Sequence, residues 1–341
     1  GPVVYNTVEK IQTVLVGLIM LLVVVIAVVV VRWDSVAAMA AGSVNIGGMP
    51  AEGAGLSLMM LLGALAFAGA GGTTNLGQSN YINDKGYGMG RYIGRITSPL
   101  TGQEEAIADV GYHFRHTPEN MVRWRQWWRA ANVEQFFSFF LTCLVCLVLL
   151  SLVCHSLFYT PSGELREGAG EYGQSMTFIW GEATRLAERP LGGLLKYGFL
   201  VMGMAILLTT ELGVLDVTSR ISADIVKVNW LRDRETWTHS RLYYLFLWSE
   251  IALGVAILLA GVDRPLLLMK ITAALNGGVM FIYSLLLLYM NNKSLARPLS
   301  MGPLRFVVTV WSCGFFGYFT IQALRLSVVP TITEMIKSST G

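Results

Sequence analysis

Charge is scarce in this chain. Only 14% of its 341 residues are Asp, Glu, Lys or Arg, against about a quarter in ordinary soluble domains, which leaves too little to dress the surface of a water-soluble fold of this size. Cysteine and histidine are few, four of each. Cys143, Cys146, Cys154 and Cys313 all lie inside apolar runs. The Cys143-x-x-Cys146 pair has no second pair and no histidine cluster beside it, so these thiols read as small buried hydrophobes rather than a zinc or redox site. His113-x-x-His116 stands among charged residues, where a solvated face is favoured over a metal clamp. No nucleophile, base and orienting group recur at spacings that would converge, so the sequence does not read as an enzyme. A net charge of +3 implies no nucleic-acid partner.

What is present in excess is apolar sequence. Hydrophobic residues make up 54% of the chain and its mean hydropathy is +0.55. Several runs are long enough to cross the ~30 Å of bilayer hydrocarbon. The reading is an all-α polytopic membrane protein with about seven transmembrane helices, at 12–31, 56–83, 133–158, 193–216, 242–262, 265–290 and 304–326. The first closes on Arg32-Trp33-Asp34, an arginine and a tryptophan where an interface anchor belongs. Residues 34–55, rich in Gly and Ala with Pro50, read as a loop or re-entrant piece.

The second span does not hold together as a helix. It opens as a membrane-grade apolar run from Leu56 and then meets Gly69-Ala70-Gly71-Gly72-Thr73-Thr74-Asn75. Each of those glycines costs a helix interior roughly 1 kcal/mol against alanine. Beyond it come Gln78, Ser79, Asn80, Asn83 and Asp84, amides that hydrocarbon penalises unless they face a polar cavity or the far interface. A hydrophobic helix broken at 69–75 and restarted as a polar half-helix points to a substrate site in a secondary transporter. The alternative is a helix that ends at its glycines and a polar loop that follows.

Basic residues are placed unevenly. Segments 84–133, 220–241 and 293–305 hold fifteen Lys and Arg, whereas the alternate loops hold six, namely Arg32, Arg166, Arg185, Arg189, Arg264 and Lys337. The fifteen-rich side is expected in the cytoplasm, with residue 1 inside and the C-terminus outside. Within 84–133 the run Arg123-Trp-Arg-Gln-Trp-Trp-Arg129 interleaves arginines and tryptophans. Next to a membrane helix it reads as an interfacial helix laid against lipid headgroups, not a nucleic-acid platform. Glu211 and Asp216 are the ionisable groups deepest in an apolar context, which makes them proton-path or counter-charge candidates. Glu134 and Glu250 are weaker candidates, expected at interfaces.

Several of these segments together carry a family resemblance. Tyr5-Asn-Thr-Val-Glu9-Lys10 ahead of an apolar helix that ends in Arg32-Trp33-Asp34 is similar to the fifth helix of the Nramp family of divalent-metal transporters. The Gly63 to Leu76 segment resembles that family's unwound sixth helix, and Gly203 to Val226 its eighth. The pattern Gly71-Gly72-x-x-Asn75 through Asp84-Lys85-Gly86-x-Gly88-Met89-Gly90 is similar to a divergent branch of the family. The likeness covers nearly the whole chain. It implies a partial LeuT-like, inverted-repeat transporter fold with a discontinuous second helix, and a secondary transporter that moves a divalent metal cation with protons. It also implies a multi-pass location in a bacterial inner (plasma) membrane. The ion would be substrate rather than cofactor, held by Ala70, Gly71, Gly72, Thr73, Thr74, Asn75 and Gln78, with Glu211 and Asp216 on the proton path.

The chain departs from the family pattern twice. Where ordinary members place Met-Pro-His before the asparagine, Gly72-Thr73-Thr74 stand here. Loss of the soft thioether turns the expectation from Mn²⁺ or Fe²⁺ toward hard ions such as Mg²⁺. The family's first four helices have no counterpart in this sequence, so the expectation is a C-terminal portion whose site is completed by N-terminal helices of the same or a separate chain. A non-transporting membrane subunit, whose glycines only pack against a partner helix, is the alternative.

Overall fold

The computed structural model describes residues 3–45, 71–98, 105, 107, 113–169, 177–261, 265–323 and 325. Among them there is no strand, only two isolated β-bridges, and the architecture is helical throughout.

Helix α1, Val4–Val30, opens on polar turns and becomes an unbroken apolar run from Val14 onward. Its 27 residues rise about 40 Å at 1.5 Å each, more than the hydrocarbon needs. Its start is tied down by Val4 N–H donating to the Ile96 carbonyl at 3.2 Å. It stops where Val31 and Arg32 turn extended. The chain then forms α2, Trp33–Val44, where composition suggested a loop or re-entrant piece. The four alanines of that stretch favour helix intrinsically, and Asp34 in the first turn suits the positive end of the helix dipole.

A short helix, α3, runs from Gln78 to Asp84. Helix α4 starts at Pro118 and runs as α-helix to Gln135, through a π-helical turn at Phe136–Leu141, and on as α-helix from Thr142 to Phe158. The Arg/Trp run therefore belongs to the same 41-residue helix as the span that follows it. Then come α5 (Phe178–Ala187), α6 (Gly192–Trp230), α7 (His239–Leu259), α8 (Pro265–Tyr289) and α9 (Pro303–Ala323). At 39 residues, α6 is about 58 Å long. It takes in both the apolar span 193–216 and residues 217–230 beyond it.

Five described helices are long and apolar enough to cross a membrane: Val4–Val30, Pro118–Phe158, Gly192–Trp230, His239–Leu259 and Pro303–Gln322. Hydropathy alone suggested seven spans. Of the other two, 56–83 is described only from residue 71, and 265–290 forms α8. The outward faces of these helices are aliphatic, with Val28, Leu259 and Leu304 each at least 78% exposed. Water does not tolerate apolar surface on that scale, whereas lipid is its natural solvent. The chain is an all-α, multi-pass membrane protein.

The residues fall into two compact units, 1–49 with 81–111 and 127–261, and 50–80 with 112–126 and 262–341. In the first, Ile19, Val23, Ile26 and Val30 recur on α1 at spacings of four and three, and pack with Val153 and Leu157 of α4, Ala183 and Leu186 of α5, and Leu195, Phe199 and Met202 of α6. Lipid tails are as apolar as these side chains, so close packing rather than exclusion of water holds them together. In the second unit α8 and α9 lie against each other. A Cβ at Gly317 would come within 2.9 Å of the Phe281 ring, so the helices approach this closely because glycine stands there.

Candidate ion site and its buried charges

The described part of the glycine break is not α-helical. Gly71 is extended, with φ −73° and ψ 143°, and Gly72 to Asn75 form a single 3₁₀ turn before α3 begins at Gln78. Gly72 has φ +56°, in the left-handed region, and a side chain there would run into the Asn276 amide of α8. Both facts demand glycine. Ala70 lies outside the described residues.

The polar groups of the turn divide into two kinds. Thr74 donates its hydroxyl to the Gly71 carbonyl at 2.7 Å, and Leu76 N–H donates to the Thr73 carbonyl at 3.0 Å, so these atoms serve the turn itself. Asn75 instead donates its amide Nδ2 to the Tyr283 hydroxyl of α8 at 2.9 Å. That bond fixes the amide plane and leaves Oδ1 as an acceptor. Thr73 is half-buried beside it, and Gln78 opens α3. The amide oxygen oriented by Tyr283 and the half-buried Thr73 hydroxyl are oxygen donors of the kind hard cations take. Among the described residues no three His, Cys, Asp or Glu side chains are grouped so as to hold a metal ion.

Glu211 and Asp216, five residues apart on α6, have opposite environments. Glu211 is exposed, with exposed Leu207, Leu208 and Val214 around it on the helix. Asp216 is 2% exposed and fully engaged. It accepts from the Tyr81 hydroxyl at 3.0 Å, the Tyr243 hydroxyl at 2.7 Å and Arg220 Nε at 3.0 Å. Arg220 also reaches Asp84 through Nη1 at 2.6 Å. Its guanidinium lies 5.7 Å from the ring centres of both Tyr81 and Tyr243. Asp84, Asp216 and Arg220 thus form a dry ion cluster joining the end of α3 to α6 and α7, with two carboxylates on one guanidinium. Arg220 Nη2 is buried with no hydrogen-bond partner among the described residues.

Other acids of the membrane helices are also held by partners. Glu134 pairs with Lys85 and accepts from the Tyr87 hydroxyl at 2.7 Å. Glu250, half-way along α7, accepts from the Thr218 hydroxyl at 2.7 Å. Outside the membrane-spanning helices, Arg95 bonds Glu105 through both its backbone N–H and its guanidinium, and those bonds hold the Glu105 carboxyl below its ordinary range. On α5, burial pushes the Glu182 carboxyl up. No family model, curated protein or solved structure matches this chain, so a functional reading has to stand on these residues.

Sequence reasoning did not find Asn276 or Tyr283 as partners of the break, nor Arg220 as the centre of a buried cluster. The first two are separated from it by about two hundred residues and carry no local signal. Arg220 did carry one. Asp216, Arg220, Ala223 and Lys227 recur at spacings of four, three and four, and all are buried, a stripe that periodicity could have shown.

Proposed function

We propose that this chain is the membrane core of a secondary transporter that moves a divalent cation, coupled to protons, through a partial LeuT-like inverted-repeat fold of the kind its resemblance to the Nramp family implies. In this reading the ion, Mg²⁺, Mn²⁺ or Fe²⁺, is held at the 70–75 break by Asn75 Oδ1, the Thr73 hydroxyl and freed carbonyls. Helices from the same or a separate chain complete its shell. Asp216 serves as a fixed counter-charge rather than a mobile proton carrier, and Glu211 is the proton-path candidate that remains. The protein sits in a bacterial inner membrane with its Lys- and Arg-rich loops in the cytoplasm, and has no enzymatic chemistry of its own.

The observation that carries the reading is the orientation of Asn75. A turn that only capped a helix would spend its amide on local backbone, whereas this one is held by a tyrosine on another helix with its oxygen left over. Glu211 adds support, because an ionisable group facing outward among leucines is costly in lipid and implies a polar partner or cavity. The bond from Thr74 to Gly71 favours the second reading, a non-transporting membrane subunit in which the break is structural.

Cation uptake into proteoliposomes under an imposed pH gradient separates the two. Asn75→Ala should abolish uptake while costing no more than about 1 kcal/mol of stability for the lost Tyr283 bond. Normal uptake with reduced stability, or no cation flux in the parent protein, would favour the subunit.

A further inference from the structure

At the end of α1 opposite its Tyr5 start, four arginines gather. Arg32 donates through Nη2 to the Tyr159 carbonyl at 2.9 Å and to Asp34 at 2.8 Å. Arg166 Nε donates to the same Tyr159 carbonyl at 3.2 Å. Arg189 Nη2 donates to the Ser156 carbonyl at 3.3 Å, and Arg185 Nη2 to the Glu167 carbonyl at 2.7 Å. Two guanidiniums that share one oxygen sit almost against each other, with a third less than a turn of helix α4 away. All four are half-buried.

Among the described residues ion pairs within 4.0 Å reach only two of the four, Arg32 from Asp34 and Arg185 from exposed Glu188 at 3.8 Å, and none reaches Arg166 or Arg189; Glu164 and Glu167 of the same loop are exposed. The last carbonyls of α4 bring the partial negative end of a helix dipole, less than one charge. Burial, together with the charges of Arg32, Arg189 and Arg185, lowers the affinity of Arg166 for its own proton. Arg32 Nε is buried with no hydrogen-bond partner among the described residues. These four are also four of only six basic residues in the alternate loops, so a general excess of positive charge on that side does not account for the cluster.

We propose that Arg32, Arg166 and Arg189 form a binding site for a phosphate-type oxyanion. Guanidinium forks match phosphate oxygens in pairs, and the surplus positive charge supplies the attraction that three neighbouring cations otherwise lack. The depth fits a phospholipid. Arg32 follows directly on a 27-residue span, and Trp33 beside it is 87% exposed, as an aromatic anchor at headgroup level is. Free inorganic phosphate offers the same chemistry from the aqueous side. The site is independent of the ion path, since none of its residues belongs to the 70–75 break or to the Asp216 cluster.

Thermal unfolding of the full chain tests the site in bilayer discs of phosphatidylcholine, with phosphatidylglycerol added in one arm and inorganic phosphate at matched ionic strength in the other. Stabilisation by phosphatidylglycerol alone identifies a lipid site; stabilisation by both identifies the phosphate group as the determinant, and either result supports the proposal. In the double variant Arg166→Gln/Arg189→Gln the increment should vanish. Should that variant fail to fold, native mass spectrometry of Arg166→Lys replaces it, and retention of phosphatidylglycerol should be on the order of tenfold weaker for the loss of one forked, charge-assisted contact. No stabilisation by either phosphate source, or an increment unchanged in the variants, overturns the proposal.

Discussion

Replacing Arg220 by methionine should be among the most damaging single changes to this fold. The side chain is 1% exposed and holds two carboxylates, Asp216 at 3.0 Å and Asp84 at 2.6 Å, which are themselves buried. Methionine fills a similar volume, so little is lost in packing. What changes is electrostatic: two carboxylates remain in a dry site with no cation. Breaking a buried ion pair from one side costs about 3–5 kcal/mol, whereas replacing the whole set with uncharged groups is often neutral or better. Arg220→Met should therefore lose about 3–5 kcal/mol. Adding Asp84→Asn and Asp216→Asn should recover most of it, because Tyr81 and Tyr243 can still donate to an amide oxygen. Steric-trap unfolding in bilayer discs reads these free energies directly. A loss under about 1 kcal/mol for Arg220→Met, or a triple variant no better than the single, would refute a buried, mutually dependent cluster.

Lys227 Nζ donates to the Leu231, Arg232 and Arg234 carbonyls at 3.0, 3.2 and 3.1 Å, closing the end of α6. Lys227→Met should fray residues 225–234, seen as faster amide exchange there and nowhere else, at about 1.5–3 kcal/mol for hydrogen bonds from a charged donor. Gly72→Ala should cost about 1–2 kcal/mol for the left-handed backbone alone, and more for the collision with Asn276; a neutral effect on the unfolding midpoint would contradict the turn geometry. Glu105 titrates below its ordinary 4.5 in the fold because Arg95 bonds it. Its contribution is thus present above pH 4.5, lost as pH falls through the lowered value, and limited to about 1 kcal/mol by solvent. Glu105→Gln should remove that segment of the acid-stability curve and leave the neutral plateau lower by the same amount.

The class of the protein was legible in its long aliphatic runs, because in lipid the outward face needs no polar pattern and composition alone declares the span. That the chain leaves the α-helical state at the last glycines was legible too, since Gly71 and Gly72 deny a helix both entropy and packing, and a 3₁₀ turn stands at Gly72–Asn75. Residues 33–44 were harder, because the glycines and Pro50 of 34–55 read as loop, although the four alanines favour helix. By sequence the segment 220–241 counts only as one of the Lys- and Arg-rich loops. In the fold α6 continues to Trp230, and Arg220 and Lys227 turn inward to partners that only tertiary structure supplies. Arg32, Arg166 and Arg189 lie more than a hundred residues apart at the extremes, and nothing in the linear chain announces that they share two carbonyls of one helix end.

The central claim is that the turn at Gly72 to Asn75 binds a divalent cation through oxygen alone. Gly72 cannot accept a side chain, so Thr73 is the position at which a thioether can be returned. Uptake of Mg²⁺ and Mn²⁺ measured side by side, in the parent protein and in Thr73→Met, tests the claim most directly. The account predicts transport of both ions with little preference in the parent and a shift toward Mn²⁺ in the variant. A strong Mn²⁺ preference without the methionine, or no divalent flux in either protein, would contradict it.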